Sequence, residues 1–139
     1  MTTTVPSRLS ALFATGEDLL RLSLRLDAVV TTVNGLAYLA LARPLERLLG
    51  LDTGVGLVIG AFLTVYGLAV AVVARSAPIN RTAASAVAVG NTAWVVASLV
   101  ALCTGALGLT TVGAVWAVMQ SVTVGGFAAL QYLGLRRSR

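Results

Sequence analysis

From Thr82 to Leu135 the chain runs 54 residues without a charged side chain. The run breaks at Thr104-Gly105-Ala106-Leu107-Gly108, where two glycines predict a turn. Each arm exceeds the roughly 20 apolar residues that cross a bilayer. The pattern therefore predicts a transmembrane hairpin, with helices over about 82–103 and 110–135. Upstream, Leu20 to Leu26 alternates apolar and polar as a strand would. However, Leu19, Leu22, Leu26, Val29 and Val33 also keep helical spacing into the next apolar run. A strand edge there would leave its backbone groups unpaired in lipid. A first membrane helix over about 20–42 is expected instead.

Arg43-Pro44 ends that helix, because proline disfavours helix at the residue before it. Pro44 to Gly50, with proline at the start and glycine at the end, reads as a short interfacial helix. Asp52 or Thr53 caps a helix over about 53–74, and Arg75 to Arg81, with Pro78, forms a polar turn. At the other end, Thr15-Gly16-Glu17-Asp18 resembles a capping box, and Glu17 and Arg21 stand at i,i+4 for an ion pair. The expected fold is all-α: one bundle of four transmembrane helices, built as two hairpins, with a short surface helix between helices 1 and 2. Residues 1–18 form an N-terminal segment that frays at its start, 19–135 the membrane domain and 136–139 a basic tail. A shift of 57 places superimposes Asn34 on Asn91, Ala40 on Ala97 and Gly56 on Gly113, a faint sign of internal duplication.

Composition sharpens this picture. A content of 58% hydrophobic and 11% charged residues lies outside the soluble range. The net charge of +5 comes from arginines at the ends of apolar segments, which suits lipid headgroups rather than nucleic acid. Arg8, Arg21, Arg25, Arg75, Arg81, Arg136, Arg137 and Arg139 share one side, against Arg43 and Arg47 on the other. The positive-inside rule then places both termini in the cytoplasm of a multi-pass plasma-membrane protein. One cysteine, Cys103, excludes an internal disulfide or a paired-cysteine metal site. Without histidine, imidazole-ligated haem or zinc is excluded too, and no cofactor or metal is expected. No charged segment leads into a short apolar run and cleavage site, so no removable signal peptide is expected.

Two kinds of helical face stand out. Small residues form one: Gly56, Gly60 and Gly67, with Thr64, Ala71 and Ala74, on the second helix, and Gly113, Ala117, Ser121 and Gly125, with Ala129, on the fourth. Such rows let helix backbones approach closely, within the bundle or between copies of it. Polar and aromatic residues form the other: Asp27, Thr31, Asn34 and Tyr38 on helix 1, and Asn91, Trp94 and Ser98 on helix 3. Trp116, Gln120, Thr123, Phe127 and Gln131 continue it on helix 4. Amides facing lipid would go unpaired, so these faces should turn inward. Asn34, Asn91 and Gln120 are expected at mid-depth, with Tyr38, Trp94 and Trp116 closing the outer end of one cluster. Asp27 and Gln131 are expected at its cytoplasmic end, with Asp27 against Arg25, Arg81 or Arg136.

Such a cluster serves either as structural glue or as the lining of a site for a small polar or amphipathic ligand. No Ser-His, Cys-His or paired-carboxylate arrangement falls within the membrane, so no enzyme is expected. Tyr66 and Tyr132 read as interface or packing residues. The leading reading is a non-enzymatic membrane protein that works through packing, as a homo-oligomer or an accessory subunit of a larger complex, with lipids as neighbours. The alternative is a small transporter, channel or lipid- or amphiphile-binding protein using the polar interior.

The motifs Asn34-Gly-Leu-Ala-Tyr38, Asn91-x-x-Trp94-x-x-x-Ser98, Trp116-x-x-x-Gln120 and Phe127-Ala-Ala-Leu-Gln131 give a family resemblance. Over about residues 22–137 the chain resembles a group of small, largely uncharacterised four-helix integral membrane proteins of actinomycetes. The group implies a fold and no particular activity. In size and helix number the chain is also similar to the small multidrug resistance transporters. Those depend on a glutamate in the first membrane helix, and here Asn34 lies where that charge would be wanted. The departure argues against proton-coupled drug export by their mechanism.

Overall fold

A computed structural model describes residues 16–137. Among the described residues there are five helices and no strand: α1 (Gly16–Ala40), α2 (Ala42–Leu49), α3 (Thr53–Arg75), α4 (Arg81–Thr104) and α5 (Thr111–Arg137). The alternating stretch Leu20 to Leu26 is helical, and α1 starts earlier than the apolar pattern suggested, at Gly16. Glu17 and Arg21 form an ion pair of 3.0 Å in its first turns. Thr15, the proposed capping residue, lies outside the described residues, as do the N-terminal segment before it and the end of the basic tail.

Local chemistry sets the boundaries. The chain turns at Leu41, so α1 ends before Arg43-Pro44 and the proline falls in the first turn of α2. Gly50 ends α2 in the left-handed region at φ 77°, a conformation open to glycine at little cost. The Asp52 carboxylate accepts from the Val55 amide at 3.2 Å to cap α3, and Asn80 caps α4 through Ala83 at 3.1 Å.

Among the described residues, α3, α4 and α5 are each long and apolar enough to cross a membrane. The α1–α2 pair, bent by 93°, makes a fourth candidate if it is one span. The exterior is correspondingly apolar. Val58, Val65 and Val72 repeat every seventh residue along the outer face of α3, each about two-thirds exposed.

The long helices pack unevenly. The α1–α3 contact is the most extensive, α4–α5 and α1–α5 follow, and α3 and α4 barely touch. Close approach explains the first. A methyl group on Gly60 would stand 2.9 Å from the Gly35 carbonyl oxygen, and one on Gly67 would strike the Thr32 backbone. At the chain-terminal end the interior is solid. Leu20, Leu24 and Ala28 of α1 meet Val70 and Ala74 of α3, Ala84 and Val87 of α4, and Leu135 of α5. Arg21 donates to the Ala74 carbonyl at 2.7 Å and Arg81 to the Leu135 carbonyl at 2.9 Å. Both arginines thus satisfy carbonyls that the ends of α3 and α5 leave open. At the opposite end, α2 is tied to the start of α5: the Thr110 amide donates to the Leu49 carbonyl at 2.9 Å.

Candidate functional site

Beyond the solid end lies a polar layer built on Asp27, which is wholly buried. Its Oδ2 accepts from Asn91 Nδ2 at 2.7 Å and from Gln131 Nε2 at 2.8 Å, while Oδ1 accepts from Thr31 Oγ1 at 2.8 Å. Asn91 Nδ2 also lies 3.0 Å from Gln131 Oε1, closing a ring that joins α1, α4 and α5. The Tyr66 hydroxyl of α3 lies 2.9 Å from the Val87 carbonyl and 3.2 Å from Asn91 Oδ1. Gly90 makes room for it, since a methyl group there would come within 2.9 Å of that oxygen.

The hydrogen-bond partners of Asp27, namely Thr31, Asn91 and Gln131, are neutral, and among the described residues no arginine pairs with it. This corrects the expectation of an ion pair at the cytoplasmic mouth. Arg25 lies two residues before it, about 200° round the helix, and is exposed. Arg81 is turned to the Leu135 carbonyl. Asn91, ten residues into α4, marks a depth of about 15 Å from the start of that helix.

Next comes a cavity of about 80 Å³, lined by Thr31, Asn34, Tyr66, Asn91, Trp94 and Gln120 among others. Asn34 Nδ2 donates to Gln120 Oε1 at 3.3 Å on its wall. A second cavity, also about 80 Å³, follows toward the Gly105–Gly108 turn. Tyr38, Trp116, Ala117 and Ser98 line it together with leucines of α2, α3 and the turn. The Trp116 indole donates to the Tyr38 hydroxyl at 2.9 Å. Leu63, Trp94 and Gln120 wall both cavities, so the two abut there.

The weak α3–α4 contact forms one side of this interior. Aromatic rings cover it: Phe62 stacks on Tyr66 at 5.7 Å between centroids and on Trp94 of α4 at 5.5 Å. Phe62 is half exposed, so it stands at the outer edge of the gap.

The predicted polar residues therefore sort into three bonded sets rather than one: Asp27, Thr31, Asn91 and Gln131, then Asn34 with Gln120, then Tyr38 with Trp116. Asn34, Asn91 and Gln120 do share the wall of the inner cavity, while Trp94 and Ser98 reach the outer one. Asn91 bonds to Asp27 and Gln131 instead of to the other two amides, because its nitrogen is drawn to a carboxylate.

The small residues divide as well. Gly60 and Gly67 face α1, Gly56 lies 3.6 Å from Leu51, measured from an added methyl, and Gly113 abuts the Leu49 carbonyl. Ala117 lines the outer cavity, and the Ser121 hydroxyl is buried without a hydrogen-bond partner. Gly125 is not closely packed: a methyl there would find its nearest neighbour, Val95, at 3.9 Å. Tyr66, Phe62 and Gly35, which lie off the polar stripes, also take part in the packing between the helices. Their signals were an aromatic pair at i,i+4 and a glycine directly after Asn34. The chain matches no family model, no curated protein and no solved structure.

Proposed function

We propose that the chain is a four-span membrane protein, with α1 as the fourth span and both termini on the cytoplasmic side of the plasma membrane, that holds a small amphiphile between its helices. The observation that carries this reading is the pair of abutting cavities. Both have mixed walls: Thr31, Asn34, Asn91 and Gln120 stand among Val30, Phe62 and Leu63 in the inner one, and Tyr38, Ser98 and Gln120 among leucine and tryptophan side chains in the outer one. A mainly apolar space with a few polar groups along its length suits a small amphiphilic molecule. The reading as a packing or oligomeric subunit drew on the glycine rows. Gly60 and Gly67 meet α1 of the same chain, so those positions need no second copy.

The two tryptophans, Trp94 and Trp116, both line the outer cavity and report on its occupancy. In reconstituted vesicles, short-chain bromoalcohols should quench their emission along a saturating curve. Ala117→Phe, or Ser98→Phe on the facing helix, fills the cavity and should leave only the shallow linear quenching of membrane partition. Linear quenching by every bromoalcohol in the unmodified protein overturns the proposal.

A further inference from the structure

We infer that the amphiphile is a cation, a primary alkylammonium whose head sits in the inner cavity under the influence of Asp27. The inference rests on the paired-cavity reading above and assigns the charge of its ligand.

Asp27 carries the argument. Its carboxylate is fully buried, yet its three partners are amide and hydroxyl donors that bring hydrogen bonds and no positive charge. An ionised carboxylate in such surroundings is poorly compensated, and a cation nearby offsets it. Two of the three partners, Thr31 and Asn91, are themselves wall residues of the inner cavity. A cation there lies one side chain away from the carboxylate.

The wall offers what an ammonium group needs. Asn91 directs its nitrogen to Asp27 and Gln131, leaving its oxygen on the Tyr66 side. Asn34 directs its nitrogen to the Gln120 oxygen. An amide oxygen accepts two hydrogen bonds, so the Asn91 and Gln120 oxygens each keep one acceptor position, and the Thr31 hydroxyl oxygen still accepts. Phe62, Tyr66 and Trp94 also border this cavity, and aromatic faces attract cations. Among the described residues, neither cavity is lined by arginine, so nothing there favours an anion. Past Leu63, Trp94 and Gln120 the outer cavity takes the alkyl chain, against Leu49, Leu51 and Ile59.

The test uses the full chain in vesicles of zwitterionic phosphatidylcholine and three bromoalkane probes of one chain length. They end in an ammonium, an alcohol and a carboxylate, and tryptophan quenching is the readout. The ammonium should bind about tenfold or more tightly than the alcohol, a margin of one decade in Kd, and the carboxylate weakest. Asp27→Asn should erase the preference for ammonium over alcohol while alcohol quenching still saturates. Should that variant not fold, the order of the three probes on the unmodified protein decides alone. Saturable alcohol binding with no ammonium preference, or a preference unchanged in Asp27→Asn, overturns the charge assignment and leaves the paired-cavity reading standing. If no probe saturates, both fall.

Discussion

The Asn91 amide nitrogen stands 2.7 Å from Oδ2 of Asp27, across the space between α4 and α1. That bond puts the two halves of the chain in contact through a buried carboxylate. The first hairpin supplies the acceptor, and the second supplies both Asn91 and Gln131 as donors. The layer is thus fixed from three helices at once.

Removing Asn91 should be costly because the acceptor remains. Asn91→Leu is expected to destabilise the protein by about 2–3 kcal/mol, the scale of a hydrogen bond to a charged group. Asp27→Leu combined with Asn91→Leu should cost less than the sum of the two single changes, since no charge is then left unpaired. Unfolding in mixed detergent micelles measures all three. Simple additivity would show that the pair is not coupled.

Asn34→Leu serves as the contrast. Its bond to Gln120 is 3.3 Å long and joins two neutral groups beside a cavity. A loss of about 0.6 kcal/mol is expected, the average for such pairs in membranes. The same unfolding assay checks it, and a loss as large as that of Asn91→Leu would contradict the ranking.

Backbone contact should make α1 and α3 intolerant of bulk. Gly60→Leu would place side-chain atoms against the Gly35 carbonyl and Tyr38, and should destabilise by about 3 kcal/mol or prevent folding. Gly125→Ala should be nearly silent, because the added methyl meets its nearest neighbour at 3.9 Å. Thermal stability of the two purified variants distinguishes them, and equal sensitivity would refute the assignment of the close contact.

Topology gives a prediction independent of side-chain detail. A reporter fused after Arg139 should behave as cytoplasmic, and one inserted between Gly105 and Gly108 as external. The insertion site is open, with no atom within 4 Å of a methyl built on either glycine. The reverse pattern would overturn the orientation drawn from the arginines.

The helices were legible because apolar runs, glycines and caps are local signals, and each acts within a few residues of where it is written. Asp52 caps the helix that follows it, and Gly50 closes α2. The inward turn of Asn34, Asn91 and Gln120 also followed from local phase, since helical spacing puts each on its polar stripe. Partner choice was not local. Whether Asn91 meets Asn34 or Asp27 depends on the rotation of α4 against α1, and no spacing within one helix encodes it. The partner of Asp27 was misread for the same reason: Arg25 is close to it in sequence, but its neighbours in space are two amides and a hydroxyl. The gap between α3 and α4 left no trace in either helix alone.

Phe62→Ala tests that gap. Removing the ring that stacks on both Tyr66 and Trp94 should speed the exchange of bound probe several-fold, with little change in helix content by circular dichroism. Stopped-flow quenching of the tryptophans measures it, and an unchanged rate would mean that the route lies elsewhere.

Where α3 faces α4, side chains meet and backbones do not, which bears on the clock of the interior. Sliding two helices that touch through glycine, as α1 and α3 do, is a collective motion of microseconds to milliseconds. A half-exposed phenylalanine turns about its own χ1 on a scale of picoseconds to nanoseconds. The two sides of one small protein would then keep different time: a stiff seam that holds its shape between α1 and α3, and opposite it a shutter as quick as a single ring.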